Sequence, residues 1–457
     1  MSTLLVKNCH TLITLDGQRR EIRQGGLFIR DHVIEQVGAT AELPDQADRV
    51  LDLGDRYLVL PGLVNTHHHF FQTLTRVVPG AQNSSLFDWL STLYPLWQHL
   101  TPRAIRLSAQ VAAAELIYSG CTTASDHLYL FPNHCTLDDE IEAVQEIGLR
   151  FHASRGSMSV GQSQGGLPPD SVVESEAAIL KDSQRLIEQY HDNRRYSMLR
   201  LTLAPCSPFS VSTDLMRESA ALARSYPGVR LHTHLAENNS DVDYSLHTFG
   251  LTPGDYAASV GWLGDDVWHA HCVKLDDRAI QSFGQTGTGV AHCPCSNMRL
   301  ASGMAPIRKM LNHQVPVGLG VDGSASNDGS HLLGEARQAF LMARVREEDP
   351  GALTAREALE LATIGGARVL GRDDIGALAP GMAADFVAVD LDRLTLSGTA
   401  YDPVAALIFC PVDRVDYSFI NGREVLNPEG LVSLDLTDLL GQHRAIAQQL
   451  ADQPKSR

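Results

Sequence analysis

The segment Pro61–Gln72, PGLVNTHHHFFQ, decides how the rest of this chain is interpreted. The apolar run Tyr57–Val64 leads into it and is typical of a buried strand, because it is short, rich in Leu and Val and bounded by polar residues. Side chains alternate across a strand, so His67 and His69 point to one side and His68 to the other. Two imidazoles on one side suit zinc or iron, but the ion needs further ligands from elsewhere in the chain.

The middle of the chain, residues 57–374, alternates apolar strand-like runs with helical patterns. Eight such alternations predict an α/β fold, a parallel (β/α)8 TIM-like barrel, with its active site at the carboxyl ends of the strands. The predicted strands are Tyr57–Asn65, Cys121–Asp126, Arg150–Arg155, Met198–Ala204, Val229–His234, Asp266–His271, Gly289–His292 and Val315–Asp322.

Both ends of the chain differ from this middle part. Residues 1–56 and 375–433 contain short alternating strand patterns with turn signals, such as the hairpin pair Asn421-Gly422. We therefore predict one small composite β-sandwich domain built from both segments. Residues 434–457 predict a surface helix that ends in a tail.

Composition and charge exclude several classes of partner. The 457 residues are 44% apolar and 20% charged, which is ordinary for a globular enzyme. The net charge of −17 argues against nucleic acid and anionic membrane surfaces, and no apolar run is long enough to span a membrane. The first ten residues lack a basic region followed by a long apolar core, and the eight cysteines are scattered, so we expect a cytoplasmic protein with reduced thiols. Cys293 and Cys295 could form a thiolate site, but no second pair has ligand spacing.

Residues able to carry out chemistry cluster at the predicted strand ends. Burying several histidines and acids together is costly unless they are paired or bound to a metal ion. The residues at the later strand ends are His232, His234 and Glu237 at the fifth run, His269 and His271 at the sixth, and Asp322 at the eighth. Together with His67 and His69, these residues predict a metal-dependent active site at one end of the barrel.

These motifs resemble the amidohydrolase superfamily, in its branch of aromatic deaminases and triazine hydrolases. The resemblance covers nearly the whole chain and rests on PGLVNTHHHFFQ, LHTHLAE, HAHCVKL, HCPCSNMRLASGMAP, GLGVDGSASND and APGMAADFVAVD. It implies a metal-dependent hydrolase acting on C–N bonds of cyclic amidines. Two-metal members carry a bridging lysine at the end of strand four, whereas Leu203–Ser210 has none. The resemblance therefore implies a single divalent ion, zinc or ferrous iron.

The resemblance also implies roles for individual residues. Glu237 would be the general acid–base that protonates the substrate ring, and His271 would stabilise charge on the attacked carbon. Asp322 would accept a proton from the attacking water. His232 could compete with His234 as a ligand, but the H-x-x-E spacing favours His234. The implied metal ligands are His67, His69, His234 and Asp322.

The loops of the barrel imply a substrate. Ser119–Pro132, Arg155–Pro169 and Leu203–Ser212 resemble those of 8-oxoguanine deaminases, which implies hydrolysis of 8-oxoguanine to urate and ammonia. Isoxanthopterin, guanine and s-triazines are alternative substrates, because only the loops would differ. A metal-binding scaffold without catalysis is an alternative from another class, and the presence of both Glu237 and Asp322 argues against it.

Four residues near the barrel mouth are predicted to contact the substrate. Gln72 could hydrogen-bond a purine-like amide edge, or else face solvent from a loop. Arg155 could meet a ring carbonyl, or else hold a loop in place. Trp89 and Tyr129 could cover the ring, or else serve as core or lid residues. The resemblance implies an enzyme that acts on a small molecule. It also allows the formation of a homo-oligomer.

Overall fold

Seventeen strands and fifteen α-helices lie within residues 2–453, the residues that this computed structural model describes. The strands are β1 (Thr3–Ile13), β2 (Glu21–Arg30), β3 (Val33–Ala39), β4 (Arg49–Asp52), β5 (Tyr57–Pro61), β6 (Leu63–Asn65), β7 (Cys121–Leu128), β8 (Arg150–Ser157), β9 (Leu199–Pro205), β10 (Arg230–Leu235), β11 (Val267–His271), β12 (Gly289–His292), β13 (Val317–Leu319), β14 (Phe386–Asp390), β15 (Tyr417–Ile420), β16 (Arg423–Asn427) and β17 (Gly430–Leu431). The helices are α1 (Leu86–Trp97), α2 (Pro102–Tyr118), α3 (Leu137–Ile147), α4 (Glu176–Tyr190), α5 (Thr213–Arg224), α6 (Asn239–Phe249), α7 (Pro253–Ser259), α8 (Asp277–Thr286), α9 (Pro294–Arg299), α10 (Ile307–Asn312), α11 (Leu332–Glu347), α12 (Ala355–Glu360), α13 (Gly366–Val369), α14 (Pro403–Phe409) and α15 (Leu436–Ala451).

Strands β6 to β13 close into a barrel in which all neighbouring strands are parallel. Parallel neighbours need long crossover connections, and helices supply them here. The predicted (β/α)8 barrel is therefore confirmed. All eight strands point their carboxyl ends to the same side, where a barrel of this type holds its active site.

The remaining nine strands, from both ends of the chain, form one sheet in the order β17-β16-β15-β14-β5-β1-β2-β3, with β4 pairing to β1. The pairs β1–β4 and β1–β5 are parallel and the others are antiparallel. Strand β14 from the C-terminal part lies beside β5 from the N-terminal part. The small β unit is thus assembled from both ends, as the sequence predicts.

The run Tyr57–Asn65 is divided between the two units, although the sequence predicts a single barrel strand. Its first half, β5, pairs with β1 and β14 in the sheet, and only β6 belongs to the barrel. Gly62 separates them, and a Cβ atom there would lie 2.0 Å from Oγ1 of Thr122. The chain must therefore pass close to β7 at this point, and the sheet extends to Pro61, beyond the predicted boundary.

The C-terminal segment contains the predicted hairpin and helix. Asn421 and Gly422 join β15 to β16 with φ angles of 51° and 75°, as a two-residue hairpin requires. Helix α15 lies close to the first barrel loop, where Nε2 of His443 is 3.0 Å from Oγ1 of Thr73. The predicted tail at residues 454–457 lies outside the described residues. Within residues 2–453, no helix is long and apolar enough to cross a membrane.

A buried ion pair links the barrel to the sheet. Arg150, the first residue of β8, donates from Nε and Nη2 to the two carboxylate oxygens of Asp385, at 3.0 and 2.9 Å. Both side chains are almost completely buried. The carbonyl of Asp385 also accepts from the backbone N–H of Gly62, at 3.0 Å. Asp385 therefore contacts both the third barrel strand and the link between the two units.

We predict that Asp385→Asn lowers the free energy of unfolding by about 3–5 kcal/mol, because it leaves the buried Arg150 guanidinium without a countercharge. Denaturant titration followed by circular dichroism measures this loss. The matched control is Asp373→Asn, which breaks the exposed pair with Arg195 and should cost less than about 1 kcal/mol. Equal losses in the two variants would contradict the role given to the buried pair.

Candidate metal centre and active site

Site residues that the sequence predicts at the ends of four separate strands meet at the carboxyl end of the barrel. His67 and His69 follow β6, His234 lies on β10, His271 ends β11 and Asp322 follows β13. Nε2 of His67 and Nε2 of His69 each lie 3.3 Å from Oδ1 of Asp322. One ligand atom from each of His67, His234, His271 and Asp322 falls within 4.8 Å of all the others. The cluster therefore has the dimensions of a metal site.

The hydrogen bonds of His69 and His234 determine which ring nitrogen carries the proton. Nδ1 of His69 lies 2.8 Å from the carbonyl oxygen of His127, and Nδ1 of His234 lies 2.6 Å from that of Cys206. A carbonyl only accepts, so each Nδ1 must donate. Each Nε2 then carries a lone pair, and the two Nε2 atoms are only 3.2 Å apart. Facing lone pairs at this distance repel each other unless a cation lies beside both.

The same reasoning applies to His67 through its neighbour His232. Nδ1 of His232 donates to the carbonyl of Trp268 at 3.0 Å, so its Nε2 is an acceptor. Nδ1 of His67 lies 2.8 Å from that Nε2 and must therefore donate to it. This leaves Nε2 of His67 as a lone pair, buried and without a hydrogen-bond partner. Nε2 of His232 thus accepts from His67 and faces away from the cluster centre, and the choice of His234 over His232 as a metal ligand stays a prediction.

The protonation states also fit a divalent cation. Burial lowers the pKa of His67 and brings that of His69 to about 3, so both rings are neutral at pH 7. Burial alone would raise the pKa of Asp322, but the surrounding histidines, His67 foremost, outweigh it and hold this pKa well below its usual value. Three imidazole lone pairs and a carboxylate are a donor set that zinc and ferrous iron both accept.

Two histidines of the motifs lie outside the cluster. Nε2 of His68 contacts Oγ of Ser330 at 2.9 Å, on the opposite side from its neighbours, as strand alternation predicts. Nε2 of His269 donates to the carbonyl of Trp262 at 3.0 Å and lies behind β11. Neither imidazole is directed into the cluster.

His127 lies in the cluster although no sequence motif singled it out. A ligand atom of His127 lies within 4.8 Å of those of His67, His69 and His234. Its ring stacks on His234 with 5.0 Å between centroids, and its Nε2 donates to the carbonyl of Ala204 at 2.7 Å. It follows that His127 buttresses the ring of His234. His127 is the seventh residue of a buried strand, and no pattern in the sequence marks it as a site residue.

Glu237 lies at the edge of the cluster, beside His271. Oε2 of Glu237 is 3.6 Å from Nε2 of His271, and Oε1 accepts from Oγ of Ser302 at 3.4 Å. Its backbone N–H donates to Asp241 at 2.8 Å, after a turn at Ala236 with φ of 52°. Burial raises the pKa of Glu237 to about 7, so the carboxyl group can carry a proton near neutral pH.

Two residues in the first turn of α9, within the motif HCPCSNMRL, hold the side chains of Asp322 and His271 in place. Oγ of Ser296 donates to Oδ2 of Asp322 at 2.6 Å, and Nδ1 of His271 donates to Oδ1 of the adjacent Asn297 at 3.0 Å. Oγ of Ser326 donates to the same Asp322 oxygen at 3.1 Å. Oδ1 of Asp322 accepts from the backbone N–H of Gly323 at 2.7 Å and faces the histidine pair, and Nε2 of His271 faces Glu237. Sequence spacing did not reveal these contacts.

Three of the four predicted substrate contacts line a pocket next to the cluster. The pocket is bordered by Gln72, Trp89 and Tyr129 together with Glu237 and residues of the cluster. Oε1 of Gln72 accepts from the backbone N–H of Ala325 at 3.3 Å, which leaves its amide N–H groups available as donors. Trp89 donates to the carbonyl of Ala325 at 3.2 Å, so its ring is fixed against the pocket wall.

Arg155 does not line this pocket, and the suggested contact with a ring carbonyl is not supported by its position. Its guanidinium donates to Glu174 at 2.8 and 3.0 Å and to Asp182 at 2.8 Å, and it lies 4.0 Å from the ring centroid of Phe131. Residue 155 points outward from β8, towards α4. The alternative interpretation, an arginine that holds a loop in place, agrees with these contacts.

Comparison with known proteins identifies the family. The model of the amidohydrolase family matches residues 58–425. The chain is 46% identical to 8-oxoguanine deaminase from Pseudomonas aeruginosa over 98% of this chain and 99% of that protein. It is 35% identical to an isoxanthopterin deaminase from an unknown prokaryotic organism, over 91% of this chain and 90% of that protein.

A solved structure agrees with both matches. The crystal structure of atrazine chlorohydrolase from Arthrobacter aurescens TC1, complexed with zinc, superposes with a TM-score of 0.91. The two sequences are 34% identical, and the match covers 97% of this chain and all of the other. Because the family model spans most of the chain and the relatives align along nearly all of it, the protein belongs to the amidohydrolase family of hydrolytic enzymes.

Proposed function

We propose that this protein is a metal-dependent deaminase that hydrolyses 8-oxoguanine to urate and ammonia. The observation that carries the substrate assignment is the 46% identity, over nearly the full length of both chains, with an 8-oxoguanine deaminase. The deaminase chemistry is supported by a pocket in which a metal-ligand set adjoins a carboxyl group able to carry a proton. All eight cysteines are free thiols, which fits the cytoplasmic location expected from the sequence.

The proposed ligands of a single divalent ion are His67, His69, His234 and Asp322. The zinc in the related chlorohydrolase favours zinc over ferrous iron. When bound, a divalent ion acts as a Lewis acid that makes a hydroxide nucleophile available near neutral pH. His271 lies within the same 4.8 Å range and is placed to act on the substrate.

The protein side chains around this ion would move the protons of the reaction. Asp322, kept ionised by its neighbours, accepts the proton of the attacking water. Glu237 gives its proton to the ring nitrogen next to the attacked carbon, and then helps to protonate the departing amine. Burial lowers the pKa of His271, but the carboxylates of Glu237 and Asp322 outweigh this and raise it, so a cationic ring can stabilise charge at the attacked carbon.

The pocket would orient the purine by one edge and one face. Gln72 has free amide N–H donors and would bind a carbonyl oxygen of 8-oxoguanine. Trp89 would pack against the bicyclic ring, since its indole is fixed at the pocket wall. The carbon that carries the 2-amino group would then face Glu237. A buried polar site of this kind discriminates strongly against rings that lack the matching group.

We predict that the purified, zinc-loaded protein releases ammonia from 8-oxoguanine with a kcat/KM at least about tenfold above that for guanine, isoxanthopterin or an aminotriazine. The reason is that this chain is 46% identical to an 8-oxoguanine deaminase over nearly the full length of both chains. Preference for isoxanthopterin would contradict the substrate and retain the deaminase chemistry. Release from none of the rings, with zinc bound, would instead support a metal-binding scaffold.

Glu237→Gln is predicted to lower kcat on 8-oxoguanine by a factor on the order of 10²–10⁴, because it removes the general acid. Its zinc content, measured by elemental analysis, should equal that of the wild type, since Glu237 is not a proposed ligand. The matched control is Glu218→Gln on the exposed face of α5, which should keep full activity. Wild-type rates in Glu237→Gln would remove this residue from the mechanism.

Ser296→Ala and Asn297→Ala are predicted to cause different defects, although the residues are adjacent. Ser296→Ala should weaken zinc binding, measured by competition with a chelator, by about 10–100-fold, because Asp322 loses a donor that fixes its orientation. Asn297→Ala should keep zinc and lose kcat, because the ring of His271 is no longer held. Asn297→Asp keeps the acceptor oxygen and should restore part of that loss.

A double-mutant cycle separates positioning from general damage to α9. If Asn297 acts through His271, the loss from Asn297→Ala should nearly disappear in a His271→Ala background. Met298→Ala, at an exposed position of the same helix, should leave both zinc affinity and kcat unchanged. Additive losses from the two substitutions would show that Asn297 does not work through this imidazole.

A further inference from the structure

Helix α15 packs on the barrel unit through one face that contains a buried polar residue. The buried residues of this helix are Leu439, His443, Ile446 and Leu450, at the three- and four-residue spacing that places them on one side. His443 is the polar member of this stripe and is 8% exposed. A leucine would continue the stripe, whereas a buried imidazole costs free energy unless it is hydrogen-bonded. The position therefore indicates a polar contact on the barrel side.

The partner of His443 lies in the loop that carries Gln72. Nε2 of His443 is 3.0 Å from Oγ1 of Thr73, and the same hydroxyl lies 3.1 Å from the carbonyl oxygen of Phe70. Burial, followed by the charge of Arg76, lowers the pKa of His443 to about 4, so its ring is neutral at pH 7 and carries one N–H. Because a carbonyl only accepts, both contacts are satisfied when Nε2 donates to Thr73 and the hydroxyl donates to Phe70.

A second threonine, on the other side of Gln72, has the same arrangement. Nε1 of Trp97 donates to Oγ1 of Thr75 at 3.1 Å, and the hydroxyl of Thr75 donates to the carbonyl of Gln72 at 3.3 Å. Both threonines are buried. Each of them connects a ring N–H to a backbone carbonyl of the segment Phe70–Thr75. One of these rings belongs to α1, beside the pocket, and the other belongs to α15.

The backbone of this segment determines where the amide of Gln72 lies. Its backbone N–H donates to the carbonyl of His69 at 3.0 Å, and its Oε1 accepts from the N–H of Ala325 at 3.3 Å. A Cβ atom at Gly323 would lie 1.9 Å from this Oε1, so the amide passes close to the backbone there. Because 3.3 Å is already long for a hydrogen bond, a small shift of the segment breaks the contact with Ala325.

We propose that His443 is a positioning residue for substrate binding, which holds the amide of Gln72 in the pocket through the hydroxyl of Thr73. This inference rests on the proposed function, because it takes Gln72 as the residue that binds a carbonyl oxygen of the purine. Helix α15 then supports the active site from outside the barrel. Among the described residues, the side-chain hydrogen bonds of His443 and Thr73 reach none of the proposed metal ligands. The expected defect is therefore in binding.

The kinetics of His443→Leu on 8-oxoguanine test the proposal, since leucine continues the apolar stripe and keeps the helix packed. We expect KM to rise by about 2–10-fold, the effect of one lost hydrogen bond, with kcat and zinc content unchanged. The reason is that Gln72 binds a part of the ring that does not react, in the ground state and the transition state alike. An unchanged KM would overturn the proposal, and so would a loss of kcat or zinc in its place.

Conservative variants and a double-mutant cycle separate positioning from packing. His443→Gln places an amide N–H near the position of Nε2 and should restore most of the binding, whereas the shorter His443→Asn should not. The rise in KM from His443→Leu should disappear in a Gln72→Ala background. Gln449→Leu, at an exposed position of the same helix, should leave KM unchanged. Independent effects of the first two substitutions would show that His443 does not act through Gln72.

Crystal structures distinguish failure of this inference from failure of the proposed function. In zinc-loaded His443→Leu, crystallised in the wild-type form, we expect the segment Phe70–Thr75 to be displaced and Oε1 of Gln72 to have left the N–H of Ala325. This result does not depend on which ring is the substrate, and an unchanged Gln72 overturns the inference. If the wild type hydrolyses another ring, the KM comparison is made on that ring, and only the proposed substrate is contradicted.

Discussion

Three imidazole lone pairs directed at one carboxylate are the constraint on which the rest of the structure depends. His69 and His234 donate their Nδ1 protons to backbone carbonyls, and His67 donates to His232. The Nε2 atoms of His67 and His69 are left facing Asp322, and Nε2 of His234 faces that of His69. Such an arrangement repels itself in the absence of a cation, and flexible side chains would avoid it. The closed barrel prevents this, because the accepting carbonyls belong to strands whose positions are fixed by their neighbours on both sides.

This arrangement requires strained backbone conformations at the strand ends, which cost free energy. His271 and Asp322 have φ angles of 69° and 60°, and Ala236, just before Glu237, has 52°. Such angles cost on the order of 1–3 kcal/mol each in residues other than glycine, and they turn the side chains into the barrel mouth. The hydrogen bonds from the first turn of α9 offset this strain. The carboxylate of Glu335 fixes the first turn of α9, because it accepts a hydrogen bond from the backbone N–H of Cys295 at 3.1 Å.

The sequence predicts the barrel and most of the cluster because both have a short-range signature. Strand–helix alternation marks the barrel, and the H-x-H and H-x-x-E spacings mark polar side chains that share a strand end. Contacts between distant segments have no such signature. The partners of Arg155 come from Glu174 and Asp182 on and before α4, and His127 looks like any buried residue of β7. The division of one apolar run at Gly62 was hidden for a related reason, since strands of the two units have the same composition.

The two ends of the barrel interior carry opposite charge, and the helices account for only part of this. Helices that follow each strand begin at the carboxyl end of the barrel and finish at the amino end, so their dipoles favour carboxylates at the metal centre and guanidinium groups at the other end. The carbonyls of Val369 and Gly371 at the end of α13 accept from Arg230 and Arg200 in this way. A helix end supplies only about half a charge, however, against two full charges on the arginines. Asp265 and Asp266 lie close enough to Arg230 for their charges to act on its guanidinium group, and they supply part of the remainder.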